Sequence, residues 1–227
     1  LDTLNKVSER LKKVAGSGDK EAIRTLEILE AVQETLEKGG AVRSLEFSKD
    51  EQQEIKGFHF LTNKPVLYIA NVAENGLENN PLVEEVRGIA DTEGAELVVV
   101  SNQIEAELAE LSDQERIEFL ETLGLEEAGL DRVIRAGYRL LGLHHYFTAG
   151  PKEVRAWTIP AGATAPDAAA VIHTDFKKGF IRAEVIGYED FLLHGGEQNA
   201  KDAGKWRLEG KQYEVLDGDV VHFRFNV

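Results

Sequence analysis

The sequence predicts an α/β protein with a parallel-sheet segment, a helical hairpin before it and a small β-grasp-like domain after it. Three observations lead there. Residues 65–70 and 95–100 are short apolar runs separated by a capped helix, the order expected of parallel strands joined by a right-handed crossover. Leu4, Val7, Leu11 and Val14 recur at spacings of three and four, followed by a Gly-rich break and a second apolar-faced helix. From Glu153 onward, strand-length runs surround a single helix within about 75 residues, too short for repeated β–α–β units.

The composition sets the bounds. With 227 residues, 42% of them hydrophobic, the chain can bury a real core and is not expected to be disordered. No run reaches the roughly 18 apolar residues of a membrane span, and no charged-then-apolar leader opens the chain. The absence of Cys excludes disulfides and cysteine–zinc sites and fits a cytoplasmic protein. The chain starts at Leu1 inside a helical pattern and has no Met, so a longer protein is expected. Net charge is −15, which opposes non-specific binding to phosphates. From Gly150 onward ten Lys/Arg face twelve Asp/Glu, so the tail is nearly neutral and the acidity belongs to the front.

Taken in order, the first helix ends at Gly16-Ser17-Gly18-Asp19. The second carries Ala22, Leu26, Leu29 and Leu36 on one side and stops at Gly39-Gly40. The pair reads as an antiparallel hairpin, packed on the rest of the molecule or serving as an arm for a partner. Ser48 and Glu51 have capping-box spacing. The run 65–70 reads as a strand buried on both faces, ending in Asn71, Glu74 and the turn pair Asn75-Gly76. Asn80 caps the next helix, Pro81 takes its first position, and Leu82, Val86, Ile89 and Ala90 are expected on its buried face. The strand 95–100 then ends in Ser101-Asn102-Gln103. Ligands of open α/β sheets bind outside the carboxyl ends of the strands, so Asn71, Glu74 and Ser101 stand where one would be read. Asn71 as a plain turn cap is the competing reading.

Ser112 and Glu115 form a second capping box, and a further helix carries Leu130, Val133, Ile134, Tyr138, Leu140 and Leu141. His144 and His145 are adjacent and would point to opposite faces of a strand, with no carboxylate at ligand spacing, so no metal site is assigned. Residues 146–150 read as a hinge or first strand. Residues 154–159 and 180–186 read as strands, with Thr164 and Pro166 opening a helix whose Ala168, Val171 and Ile172 face inward. A Gly-rich connection, 195–210, leads to the hairpin-type turn Asp217-Gly218-Asp219 and a last strand, 220–226. Trp157 and Phe225 are expected in the core on neighbouring strands.

These residues resemble the YchF/Obg-like ATPase family. The resemblance rests on Lys64-Pro65 with Tyr68-Ile69-Ala70-Asn71-Val72-Ala73-Glu74, on Gly129-Leu130-Asp131-Arg132-Val133-Ile134-Arg135-Ala136-Gly137-Tyr138, and on Tyr146-Phe147-Thr148-Ala149-Gly150 with Glu153-Val154-Arg155-Ala156-Trp157-Thr158. The ending Phe223-Arg224-Phe225-Asn226-Val227 belongs with them. The resemblance implies a hairpin insertion at 1–57, the second half of a P-loop nucleotide domain at 58–149 and a TGS domain at 150–227. It assigns Asn71 and Val72 to adenine contacts, Ser101 to the loop behind the base and Glu74 to the place where GTPase relatives carry a guanine-reading Asp. ATP is the implied nucleotide, with GTP weaker.

The phosphate motif G-x-x-x-x-G-K-[ST] does not occur in the chain, so no catalytic residue is assigned and Mg2+ would be held through a segment lying outside this sequence. The implied protein is a cytoplasmic, monomeric, translation-associated ATPase that binds the ribosome (50S or 70S), or RNA, through hairpin and TGS domain. Lys177, Lys178, Arg182, Lys201, Lys205, Arg207, Lys211 and Arg224, with Phe180 and Trp206 among them, are the candidates for RNA contact. A non-enzymatic RNA- or protein-binding adaptor is the alternative.

Overall fold

The computed structural model describes residues 1–226. They form two compact units, Leu1–Arg132 and a second beginning at Val133. Among the described residues no helix is long and apolar enough to cross a membrane.

In the first unit, α1 (Asp2–Ala15) and α2 (Lys20–Glu37) fold back on each other through the Gly16–Asp19 turn. Asp19 caps α2 by accepting from the Glu21 and Ala22 amides. Leu4, Ile28, Leu29 and Val32 are buried with Val42 and Ile55, so the pair packs against residues that follow it. Val14, at the far end of the α1 seam, is half exposed. The short helix α3 (Lys49–Lys56) opens on the expected capping box, Ser48 with Glu51.

Strands β1 (Leu67–Asn71) and β2 (Glu96–Val100) pair in parallel in a two-stranded sheet, with Leu67 opposite Glu96 and Asn71 opposite Val100. Between them runs α4 (Pro81–Glu93), capped by Asn80 and closed by Gly94 in the left-handed region, φ +62°. Two expectations fail here. β1 is not buried on both faces: Ile69 is 51% exposed, because a two-stranded sheet with one covering helix leaves the opposite face open. On α4 the buried stripe is Val83 and Ala90, while Leu82 and Ile89 are exposed. The helix is rotated so that 83, 86 and 90 look toward the strands, and the apolar face was wider than the surface that covers it. Three helices follow: α5 (Asn102–Glu110), α6 (Asp113–Thr122), which opens on the Ser112–Glu115 capping box, and α7 (Gly129–Leu141).

The second unit is a five-stranded mixed sheet in the order β4-β3-β7-β5-β6. Its strands are β3 (Leu143–Ala149), β4 (Val154–Pro160), β5 (Phe180–Gly187), β6 (Arg207–Glu209) and β7 (Asp219–Phe225). β3 and β7 are parallel neighbours and the other pairs are antiparallel. Residues 146–149, read as hinge or strand, are strand, and β3 is paired along its whole length with β4. Helix α8 (Ala165–Ile172) lies on one face, followed by α9 (Thr174–Lys178). The core between α8 and the sheet holds Tyr146, Ile159, Ala165, Ala168, Ala169, Phe180, Ala183, Val185, Val215, Val221 and Phe223. Small alanines on the helix allow that close approach. Val171 points outward and is 46% exposed, Ala165 and Ala169 taking the inward places.

The Gly-rich connection contains α11 (Glu197–Asp202) and β6, and α10 (Tyr188–Leu193) precedes it. Asp217-Gly218-Asp219 is a turn, with Gly218 at φ +84°, yet it closes no hairpin, because β7 pairs with β5 and β3 instead of the segment just before it. Trp157 and Phe225 are not on neighbouring strands, since β3 lies between β4 and β7. Phe225, 36% exposed, stacks on Phe176 at the sheet's end, and Phe223 is the β7 aromatic in the core.

Candidate functional site

The carboxyl ends of β1 and β2 bring the expected residues together. The pairing runs one residue past β1, the Val72 amide donating to the Val100 carbonyl at 2.9 Å. Asn71 Oδ1 accepts from the Asn102 amide at 3.0 Å, and Glu74 Oε1 accepts from Gln103 Nε2 at 3.1 Å. The two polar endings are thus tied side chain to backbone and side chain to side chain. The side-chain bond of Asn71 is made across the sheet and not within its own turn: Oδ1 satisfies an amide in the first turn of α5. Ser101 is 2% exposed and its hydroxyl has no partner, so it sits under the edge that Asn71 and Glu74 present to solvent.

The loop after Glu74 is tight. The Gly76 amide donates to the Ala73 carbonyl at 2.8 Å, and Asn80 Nδ2 reaches back to the Gly76 carbonyl at 3.3 Å. A Cβ on Gly76 would lie 3.0 Å from Asn80 Nδ2 and 3.3 Å from Val72 Cβ, so any larger residue would press on both side chains. Behind the edge, Glu105 of α5 accepts from the Gly129 amide at 2.7 Å and the Leu130 amide at 3.1 Å, a carboxylate placed at the positive end of α7. Arg132 donates to the Val99 carbonyl at 2.9 Å. From the sequence Gln103 was named only as part of the polar ending Ser101-Asn102-Gln103, with no role of its own, and Glu105 was not singled out. The signal for Gln103 was its position three residues past the end of β2, as Glu74 stands three residues past the end of the parallel β1, while Glu105 acts on a helix that starts 24 residues on.

Seven of the eight basic residues expected to face RNA, all but Lys211, have partners within the chain. Lys177 pairs with Asp167 at 2.5 Å, Lys205 with Asp190 at 3.2 Å and Arg207 with Asp219 at 3.4 Å. Arg224 pairs with Glu184 at 2.9 Å, Arg182 with the same carboxylate at 3.9 Å and Lys178 with Asp175 at 3.7 Å, while Lys201 lies over the Trp206 ring at 4.2 Å. Phe180 is buried in the sheet core and offers no stacking face. A polyanion would have to compete with the carboxylates that six of these cations already face.

Residues 143–226 match a family model for the C-terminal part of YchF GTPases, described as "Protein of unknown function (DUF933)". Over all 227 residues the chain is 63% identical to the ribosome-binding ATPase YchF of Pasteurella multocida (strain Pm70), 57% to that of Escherichia coli O157:H7 and, over 230 aligned positions, 50% to that of Bacillus subtilis (strain 168). It spans 62–63% of the length of these relatives. The solved structure of the Schizosaccharomyces pombe YchF GTPase superposes with a TM-score of 0.82 at 31% identity, covering 98% of this chain and 62% of that one. A GTP-binding protein from Pyrococcus horikoshii OT3 (TM-score 0.54, 20% identity, 95% of this chain and 64% of that one) shares the fold. With its strand endings, its C-terminal sheet and its whole length matched in this way, the chain belongs to the YchF/Obg-like ATPase family.

Proposed function

We propose that the full-length protein binds and hydrolyses ATP, and that this chain supplies the edge that reads the base. The observation carrying this reading is the joining of Asn71 to Asn102 and of Glu74 to Gln103 across two parallel strand ends, over the unpartnered hydroxyl of Ser101. Asn71 and Val72 contact adenine, and Ser101 backs the loop. Two acceptor oxygens of an Asp suit guanine's N1–H and N2–H2, whereas Glu74 is longer by a methylene and adenine has no such donor pair. The bacterial relatives are named as ATPases and the fission-yeast protein as a GTPase. Base choice is therefore the point to test.

Mg2+ and the phosphates are held by a segment with a G-x-x-x-x-G-K-[ST] loop, which this sequence does not contain. Bound there, the ion would supply charge neutralisation for phosphoryl transfer. The chain's own residues orient the base and exclude water behind it, so the 227-residue chain alone is inactive. In this reading 1–57 is a hairpin insertion and 58–149 the second half of the nucleotide domain. Residues 150–227 are a TGS domain of β-grasp type, whose sheet is completed by β3 at the end of the preceding segment, lying parallel to β7. The protein is a cytoplasmic monomer that acts on the ribosome, meeting it through hairpin and TGS domain.

The deciding experiment is competition of ATP and GTP for the full-length protein, wild type and Glu74→Asp, by calorimetry. An unpaired buried polar edge costs about 1–3 kcal/mol, so a shift of about tenfold toward GTP is expected. An unchanged ratio would show that Glu74 does not read the base.

A second reading, a non-enzymatic adaptor, is favoured by one observation: the C-terminal sheet has its own closed core. Co-sedimentation of the 227-residue chain with ribosomes in the absence of nucleotide would support it, and strict dependence of binding on ATP in the full-length protein would remove it.

A further inference from the structure

Alternation along β5 and β7 buries Ala183, Val185, Val221 and Phe223 against α8, which turns Glu184 and His222 to the other face of the sheet. The two are directly opposite in the antiparallel register, which places their Cβ atoms about 5 Å apart. Above them α11 contributes Glu197. One ligand atom from each of Glu184, Glu197 and His222 lies within 4.8 Å of the others. Glu184 is 4% exposed, whereas Glu197 and His222 are exposed and free to turn.

A small cavity coincides with this triad. It has a volume of about 10 Å3 and is lined by Glu184, Glu197, His222 and Trp206, among others. That is room for one water-sized sphere. The indole N–H of Trp206 is buried and has no hydrogen-bond partner. A buried donor without an acceptor, beside two carboxylates and an imidazole, calls for an oxygen in the cavity.

We propose that Glu184, Glu197 and His222 form a binding site for a divalent transition-metal ion, Zn2+ being the ion of highest complementarity. Three protein ligands of the types O, O and N leave a fourth tetrahedral position for water, the oxygen from which Trp206 gains its acceptor. Bond lengths of about 2.0–2.2 Å place tetrahedral ligand atoms roughly 3.4 Å apart, so the 4.8 Å triad closes by small rotations of Glu197 and His222. Arg224 donates to Glu184 at 2.9 and 3.1 Å. Each carboxylate oxygen keeps a second lone pair, and a hydrogen-bonded carboxylate is the usual arrangement behind a metal ligand. The imidazole selects Zn2+ or its neighbours over Mg2+, which prefers oxygen alone.

The test uses the 227-residue chain and Zn2+ itself, by titration calorimetry in a large excess of Mg2+. Wild type binds one Zn2+ per chain. His222→Gln and Glu197→Gln each weaken it at least about tenfold, and His59→Gln, an exposed histidine of the other unit, does not. Absence of saturable one-to-one binding, displacement by Mg2+, or wild-type affinity in either triad variant would overturn the site. Circular dichroism checks the fold. Should His222→Gln unfold, Glu197→Gln on the exposed face of α11 decides alone.

Discussion

Asp219→Ala should destabilise the C-terminal unit by about 2–4 kcal/mol. Asp219 is 3% exposed and stands at the first position of β7. Its carboxylate accepts from the Tyr213 hydroxyl at 2.6 Å, the Leu216 amide at 2.9 Å and Arg207 Nη2 at 3.4 Å. The Arg207 contact is long and its side chain is 44% exposed, so it contributes little. The other two bonds go to a charged acceptor, and removing that acceptor leaves a part-buried amide unpaired, at roughly 1–3 kcal/mol for that group alone. The assay is direct, because the chain's two tryptophans, Trp157 and Trp206, both lie in the C-terminal unit. Urea unfolding followed by tryptophan fluorescence therefore reads this unit and not the first. Tyr213→Phe alone should lose about 1 kcal/mol, and the double variant should cost less than the two singles added, since they share a bond. A loss below about 0.5 kcal/mol for Asp219→Ala, or full additivity, would refute the carboxylate's hold on the turn.

Phe223→Ala should cost about 3–5 kcal/mol by the same assay and Phe225→Ala clearly less, since the first is in the core and the second is 36% exposed; equal costs would contradict the burial described. Tyr146→Phe should cost about 1 kcal/mol, the loss of its hydroxyl's bond to the Ala168 carbonyl at 2.9 Å, while far-UV dichroism stays unchanged. Stability should fall at both ends of the pH scale. The Arg224 hydrogen bond holds Glu184 below the usual carboxylate range, so its contribution is present above the unfolded carboxylate pKa and is lost as pH falls through the lower native value. Burial, then Asp219, pushes Tyr213 up to about 12 from 10.0, so its contribution is intact below the unfolded value and is lost as pH rises through the native one. Denaturation midpoints across pH test both, and in Tyr213→Phe the alkaline loss should shrink.

Much of the local grammar could be read directly. Both capping boxes, the Asn80-Pro81 helix start and the two parallel strands with their polar endings depend on residues within a few positions of one another, and they stand as expected. Burial was harder. Leu82, Ile89 and Val171 are apolar and correctly spaced, but which side of a helix is covered depends on the width of the surface it meets. The segment 195–210 was read as connection because its glycines mask a six-residue helix and a three-residue strand, each too short for a periodic signal. Of the candidate site, Asn71, Glu74 and Ser101 were legible from strand endings. The Gln103 and Glu105 bonds were not, since one joins two side chains 29 residues apart and the other a side chain to a backbone amide 24 residues on.

The position of β7 has a consequence for how the chain is made. It is the centre of the sheet, between β3 and β5, and it is the last strand in the sequence. A ribosome delivers β3 and β4 early, and they can pair as an antiparallel hairpin while synthesis continues. The face meant for Val221 and Phe223 stays open until residues beyond 70 positions downstream have cleared the exit tunnel. At about 5–20 residues per second, Tyr146 and Ile159 wait several seconds beside α8 without their central partner. During that interval the exposed edge of β3 is competent to pair with another strand, so early release or stalling before Asp219 should yield aggregation of this unit in preference to a slightly weakened fold.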